Sequence, residues 1–120
     1  VPIFDGGQRR AVKAAREVEV SVARVERREA ELQAKSGVRA ARASIDAEAR
    51  ALERAREAAV HAAEVLRITD IAFRAGATTN IELVDAQRRS RDAETSVRQA
   101  EDRGRLARLA LLVALGRFPG

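Results

Sequence analysis

The fold is decided by the stretch Phe73-Arg74-Ala75-Gly76-Ala77-Thr78-Thr79-Asn80-Ile81-Glu82-Leu83-Val84-Asp85-Ala86-Gln87-Arg88. It interrupts a chain that otherwise consists almost entirely of helix-forming residues. A glycine, two threonines and an asparagine break the helical pattern, and an acidic segment restarts it at once. The stretch therefore predicts one turn between two long helices, placed at a projecting tip.

The composition of the 120-residue chain favours helix–helix packing over a globular core. Charged residues make up 34% and aromatic residues 2%, with no Cys, Met, Trp or Tyr. Three Phe residues cannot fill the centre of a compact domain. An excess of Ala, Glu, Arg and Leu is typical of long helices and coiled coils. We expect an all-α fold, a long antiparallel coiled-coil hairpin that gains stability from seams to other chains as well as its own.

The charge pattern argues against nucleic acid as a partner. The net charge is +5, but 23 basic and 18 acidic residues are interspersed along the chain. Such mixing indicates a solvated, salt-bridged helix surface, and no clustered basic stripe is present. No apolar run approaches the ~18 residues of a transmembrane helix. There is no starting Met or signal peptide, so we expect a mature piece or an excised fragment.

The first part of the chain predicts a single long helix. Residues 1–7 are interpreted as an extended start and a turn. Residues 8–73 contain no proline and one glycine, Gly37, and would span roughly 100 Å as a helix. Apolar residues recur every seventh position, which predicts a heptad seam: Ala11, Val18, Val25 and Leu32, then Val38, Ile45, Leu52, Ala59, Leu66 and Phe73. Ala41, Ala55 and Ala62 lie three residues beyond members of the second series and are the small positions of the same seam. The seam slips by one residue near Gly37, which either changes the supercoil locally or marks where a new neighbour begins to pack. Alternatively, Gly37 is only a soft spot that costs the helix about 1 kcal/mol.

The return helix has an even more regular seam. Residues 74–80 are predicted as the tip turn, 81–116 as the second helix and 117–120 as a C-terminal turn. Apolar or small residues alternate in steps of three and four: Leu83, Ala86, Ser90, Ala93, Val97, Ala100, Gly104, Ala107, Leu111, Ala114 and Phe118. Small residues at these positions would let the two backbones approach closely. The second helix is much shorter than the first, so we expect a partner from outside the chain.

The residues after the turn allow two interpretations. Thr79 and Glu82 form a capping-box pattern, in which Glu82 only caps the helix. Glu82 and Asp85 are also paired carboxylates, but a helical tip offers no pocket for acid–base catalysis. If several copies surround an axis, the two carboxylates become a ring at the mouth of a pore, as in cation channels. The single histidine, His61, is expected on the surface. Arg88, Arg89 and Arg91 are interpreted as a solvated basic cluster. Arg74 is interpreted either as stabilising the C-terminal carbonyl groups of the first helix or as contacting a partner at the tip. No catalytic residue, cofactor site or metal site is predicted.

Two motifs resemble the TolC-type outer-membrane channels of bacterial efflux and type I secretion. Pro2-Ile3-Phe4-Asp5-Gly6-Gly7 is similar to the passage where a barrel strand of that family leads into a descending helix. Phe73-Arg74-Ala75-Gly76, followed by Ile81 to Arg88, is similar to the family's periplasmic-tip signature. Leu112-Val113-Ala114-Leu115-Gly116 resembles the end of its ascending helix. The likeness covers essentially all 120 residues.

The resemblance implies a homotrimer in the bacterial outer membrane, with this segment in the periplasm. The channel would work with a periplasmic adaptor protein and an inner-membrane pump, and barrel strands outside this sequence would hold it in the membrane. By the same likeness, Glu82 and Asp85 line the aperture. The adaptor-contacting tip is Phe73, Arg74, Gly76, Ala77 and Thr78, and the strand-to-helix entry is Pro2, Phe4, Gly6 and Gly7. Phe73 departs from the family's frequent tyrosine, and the first helix is unusually rich in arginine.

One alternative belongs to a different functional class. A periplasmic adaptor can also carry a long, unequal helical hairpin that contacts a channel without conducting anything. The flanking sequence would distinguish the two classes, because a channel needs amphipathic β-strands and a second copy of the pattern upstream, whereas an adaptor needs lipoyl-like strands on both sides.

Overall fold

Two long helices make up nearly all of the described chain. The computed structural model describes residues 6–117, in which α1 spans Gly6–Arg74 and α2 spans Asn80–Ala114, with 69 and 35 residues. Residues 75–79 form the turn between them, and no strand occurs within residues 6–117. The predicted all-α helical hairpin is confirmed. Neither helix within this range combines the length and the apolarity needed to cross a membrane.

The chain divides into two units, Val1–Gly37 and Val38–Gly120. In the first unit, residues 7–37 are helical and every one of them is exposed. The predicted heptad seam therefore lies uncovered here, with Val18 62% and Leu32 60% exposed. Within this unit the described residues provide no second element to cover it.

The second unit is a helical hairpin whose seam follows the predicted heptads. On α1, the half-buried residues include eight of the predicted seam positions: Val38, Ala41, Ile45, Leu52, Ala55, Ala59, Ala62 and Leu66. Burial in α1 begins at Val38, directly after the predicted slip in register at Gly37. Phe73 differs from the prediction because it is 39% exposed. It lies in the last turn of α1, where the chain leaves the seam to form the tip.

The facing side of α2 is built mainly from small residues. Its buried positions all belong to the predicted three-and-four series: Leu83, Ala86, Ser90, Ala100 and Ala107. Ala93, Val97, Gly104 and Leu111 are half-buried, whereas Ala114, the last residue of α2, is exposed and Phe118 lies outside the described residues. No described side chain is fully buried. Because each alanine removes little apolar area from water, the hairpin has only a thin core.

Gly104 corrects one detail of the predicted seam. We expected its lack of a side chain to permit close backbone approach, but a Cβ atom added there would meet nothing within 4 Å. The contact between the helices at this point therefore does not require glycine.

Ion pairs cover the outer surfaces of both helices. Among residues 6–117, seven of the eight ion pairs join residues three or four apart on one helix. The eighth ion pair joins α1 to α2, and its Arg56 Nη2 lies 3.5 Å from Glu101 Oε1. This arrangement confirms the predicted solvated, salt-bridged surface.

Both helices end with the same glycine motif. After α1, Gly76 has φ of +71° and donates its N–H to Phe73 O at 2.9 Å, while Ala77 N donates to Ala72 O at 2.8 Å. After α2, Gly116 has φ of +66°, and the corresponding bonds run from Gly116 to Val113 and from Arg117 to Leu112. In this Schellman motif the glycine follows the cap residue.

The motif explains where the helices end. The last helical residue lies two before the glycine in each case, so α1 ends at Arg74 and α2 at Ala114. The predicted ends, residues 73 and 116, differ because the second prediction counted Gly116 as part of the helix. At the other end of α1, Gly6 and Gly7 lie in its first turn rather than in the predicted turn before it. Pro2 and Phe4 lie outside the described residues.

Candidate functional site at the hairpin tip

The start of α2 is defined by a complete capping box. Thr79 is the N-cap residue, with extended φ of −91° and ψ of 157°. The Glu82 N–H donates to Thr79 Oγ1 at 3.3 Å, and the Thr79 N–H donates to Glu82 Oε2 at 3.1 Å. These two bonds satisfy N–H groups that have no partner within the helix. The capping interpretation of Glu82 is thereby confirmed, and the Glu82 side chain stays exposed.

Asp85 lies one turn beyond the cap and is held by two arginines. Arg89 Nη2 lies 2.7 Å from Asp85 Oδ2, and Arg88 Nη2 lies 4.0 Å from Asp85 Oδ1. The Asp85 side chain is 40% exposed. We predicted a solvated basic cluster at Arg88, Arg89 and Arg91, but did not foresee that two of its members face Asp85. The sequence spacing could have predicted these ion pairs, because an acidic residue three or four positions before an arginine on a helix favours such a pair.

The α1 side of the tip carries an equivalent ion pair. Arg74 Nη2 lies 2.9 Å from Asp70 Oδ2, one helical turn earlier. We had proposed that Arg74 stabilises the terminal carbonyl groups of α1. Its guanidinium instead contacts a carboxylate, which leaves the α1 carbonyls to the N–H groups of the glycine motif. An acidic and a basic residue four positions apart therefore lie on each side of the turn.

The turn itself is ordered by backbone hydrogen bonds and presents its side chains to solvent. Phe73, Arg74, Gly76 and Ala77 are exposed, and Thr78 is half-buried. The three N–H groups of residues 75–77 all donate to α1 carbonyls. A partner would therefore meet a backbone already fixed in one conformation, which lowers the entropy lost on binding.

One exposed tip residue did not stand out in the sequence. Ile81 is 81% exposed, more than any other large apolar side chain described. Within the capping motif it looked like an ordinary helix-starting residue. Its exposure could have been predicted from its position between the N-cap and the seam residue Leu83. That position directs the Ile81 side chain away from α1.

Part of the predicted site gathers in one shallow groove between the helices. The groove has a volume of about 370 Å³ and is lined by residues from both helices and the turn: Val65, Thr69, Thr78, Glu82, Asp85, Ala86 and Arg89. It brings both predicted aperture carboxylates together with Thr78 and Arg89. Gly76 and Ala77 lie on the turn and do not line it, and Gly6 and Gly7 belong to the first unit.

The described residues offer little for other chemistry. His61 is exposed, as predicted. Within residues 6–117 no three His, Asp or Glu side chains are grouped so that they could hold a metal ion. The arrangement at the tip can present charge and apolar surface to an ion or to a protein.

Comparison with known proteins identifies the family. A family model described as outer membrane efflux protein matches residues 1–117. A search of curated proteins and one of solved structures found no match. The matched family is a transport family and not an enzyme family. The match covers nearly the whole chain, including both helices, the tip and the entry motif, and the chain belongs to the outer membrane efflux protein family.

Proposed function

We propose that this chain is the helical portion of the channel in a tripartite multidrug efflux or type I secretion system. The channel is a passive conduit that is closed and opened at the tip of the hairpin. The observation that carries the proposal is the position of Glu82 and Asp85. In a chain of the efflux family, both lie within the first two turns after the hairpin's closed end.

A gate follows when three copies surround one axis. The carboxylates of Glu82 and Asp85 from each copy then form rings at the narrowest part of the conduit, where rings of charge set which ions enter. Opening is a change of population between packed tips and separated tips, driven by whichever partner binds the open form better. The thin seam of small residues in α2 suits such a change, because little apolar area is exposed when the helices shift.

The partner at the tip is a periplasmic adaptor, which connects the channel to an inner-membrane pump. Support comes from the exposed Phe73, Arg74 and Ile81 around a backbone turn that is already ordered. An exposed aromatic or apolar anchor beside an arginine is typical of the centre of a protein interface. In this proposal the channel lies in the outer membrane and the hairpin lies in the periplasm.

The adaptor-like alternative is less well supported. An adaptor hairpin would share the helices and the exposed tip, but the family match is to efflux channels. The two functions differ in one measurable property, since only a channel conducts ions across a bilayer.

The proposal is tested by recording the complete protein in planar bilayers with Mg²⁺ on the periplasmic side. We use Glu82→Gln with Asp85→Asn, because glutamine removes the charge and retains the capping bonds. The matched control is Asp92→Asn with Glu94→Gln, which removes two exposed carboxylates further along α2.

We expect the tip variant to need a several-fold higher Mg²⁺ concentration for half-block, and the control to behave like the wild type. Equal block in all three proteins would contradict a gate at Glu82 and Asp85. Absence of any conductance in the wild type would favour the adaptor-like alternative.

A further inference from the structure

We propose that Arg89 determines the charge selectivity of the gate. By holding Asp85 it prevents the aperture from acting as a simple cation-attracting ring, and it lets the channel admit anionic cargo. This inference rests on the proposed function, because it assumes that Glu82 and Asp85 line the aperture.

The first support is the geometry of the Asp85 carboxylate. Both of its oxygens face a guanidinium, Oδ2 at 2.7 Å from Arg89 and Oδ1 at 4.0 Å from Arg88. The order of the pair, with the acid four residues before the base, is the favourable one on a helix. Asp85 therefore carries its own counter-charge on the same helix and in the same copy of the chain.

The second support is that Arg89 lines the same groove as the carboxylates. Glu82, Asp85 and Arg89 border one cavity of about 370 Å³ beside the turn. An ion near the carboxylates is thus also near the guanidinium. Because the two opposite charges lie only 2.7 Å apart, their potentials largely offset each other at an ion several ångströms away.

The third support is the count of charges at the start of α2. Between Asn80 and Arg91 there are two carboxylates, Glu82 and Asp85, and three guanidiniums, Arg88, Arg89 and Arg91. The first three turns of α2 are therefore net positive by one in each copy, ahead of the carboxylates of Asp92 and Glu94 in the turn that follows, and assembling identical copies multiplies this charge without changing its sign. The one carboxylate without a guanidinium partner is Glu82, whose Oε2 accepts a hydrogen bond from the Thr79 N–H.

Stability does not explain the pair. The Arg89 and Asp85 side chains are 71% and 40% exposed, and ion pairs at such positions contribute little to folding. Their effect on a passing ion is different, because that effect depends on where the charges sit rather than on how tightly they bind each other.

The test compares ion selectivity in the complete protein, recorded in planar bilayers under a KCl gradient at low ionic strength. The variants are Arg89→Gln, Arg89→Lys, and Arg98→Gln as the matched control. Arg98 is an exposed arginine of α2 further from the tip. We expect Arg89→Gln to raise the K⁺/Cl⁻ permeability ratio by roughly twofold for each guanidinium lost, or about eightfold for three copies.

The same Arg89→Gln variant should be half-blocked at a correspondingly lower Mg²⁺ concentration. Arg89→Lys keeps the charge and should restore the wild-type ratio, which a merely structural role of the guanidinium would not predict. Arg98→Gln should leave the K⁺/Cl⁻ permeability ratio equal to that of the wild type within experimental error.

The failures of the two proposals are distinguishable. If Glu82→Gln with Asp85→Asn changes Mg²⁺ block while Arg89→Gln changes neither block nor selectivity, the role of Arg89 is wrong and the gate remains. If none of these variants changes either property, the gate is wrong and the role of Arg89 falls with it. A wild-type channel that already strongly prefers K⁺ would also overturn the role of Arg89.

Discussion

Residues 7–37 and residues 38–74 carry the same kind of heptad seam in the same helix, yet only the second stretch is covered. Val38, Ile45, Leu52 and Leu66 are half-buried against α2, whereas residues 7–37 are exposed throughout. The difference lies in the partner, because α2 supplies the opposing surface for the second stretch. A heptad seam therefore indicates that a helix needs a packing partner. It does not indicate whether the same chain provides that partner.

The exposed seam is what we expect of a chain that assembles with further copies. In proteins most of the stability of a helix comes from the packing of its amphipathic face. The apolar positions of residues 7–37 would gain that packing from other helices of a channel.

The largest expected contrast is in hydrogen exchange of the isolated chain. Amides of residues 18–32 should exchange at least about tenfold faster than those of residues 86–100, because local opening is easiest where few apolar contacts hold a segment. In the complete protein in membranes, the contrast should shrink as other helices cover the first stretch. Equal protection of both stretches in the isolated chain would contradict the comparison.

A larger side chain in the hairpin seam should be the most damaging single substitution. Ala100 is 6% exposed in the α2 seam, so Ala100→Leu should destabilise the hairpin by about 1–3 kcal/mol through overpacking. The control is Ala110→Leu at an exposed position of the same helix, which should change stability by less than about 0.5 kcal/mol. Urea unfolding followed by circular dichroism measures both. Tolerance of leucine at residue 100 would mean that the helices are not in close contact there.

Substitution by alanine should change the stability in opposite directions at two glycines. Gly76 has positive φ, so Gly76→Ala should cost about 1–2 kcal/mol even though the added Cβ meets nothing within 4 Å. Gly37 is helical and equally open, so Gly37→Ala should stabilise the helix by about 0.5–1 kcal/mol. Thermal unfolding monitored by circular dichroism should show the two shifts. The same sign at both positions would contradict the assigned tip conformation.

The smallest expected effect is a pH dependence at Glu64. Hydrogen bonds from Arg67, at 2.9 and 2.7 Å, together with its charge, hold the pKa of the Glu64 carboxyl below its ordinary value of about 4.5. A lowered pKa in the folded state adds stability above the unfolded-state pKa, and that stability is lost as the pH falls through the folded-state pKa. Arg67→Gln should therefore flatten the acid limb of the stability profile slightly. An unchanged profile would mean that the exposed pair contributes nothing.

Much of the fold could be predicted from the spacing of apolar and small residues along the sequence. The α2 seam was predicted from steps of three and four because each apolar or small residue there has the same partner, α1, along the whole hairpin. The helix ends depended on Gly76 and Gly116, and the start of α2 depended on Thr79 and Glu82. In both cases local backbone chemistry sets the boundary, although the prediction counted Gly116 as part of the second helix.

The site was less predictable because charged side chains have several possible partners. Arg56 contacts both Glu53 on its own helix and Glu101 on the other, and only the first can be inferred from spacing. Asp85 could have been a free carboxylate or half of a pair, and the side-chain conformation of Arg89 decides between them. The exposure of Ile81, by contrast, could have been inferred from its position two residues before the seam residue Leu83.

The most direct test of a gate built from several copies is cross-linking at residue 85. The sequence contains no cysteine, so Asp85→Cys introduces one thiol per copy into this part of the chain. In the complete protein in membranes, a short bifunctional maleimide should link neighbouring copies through residue 85 and abolish export. Arg98→Cys, placed further from the tip, should not block export under the same treatment. Correctly assembled Asp85→Cys protein that forms no link, or that exports normally when linked, would contradict a gate at the hairpin tip.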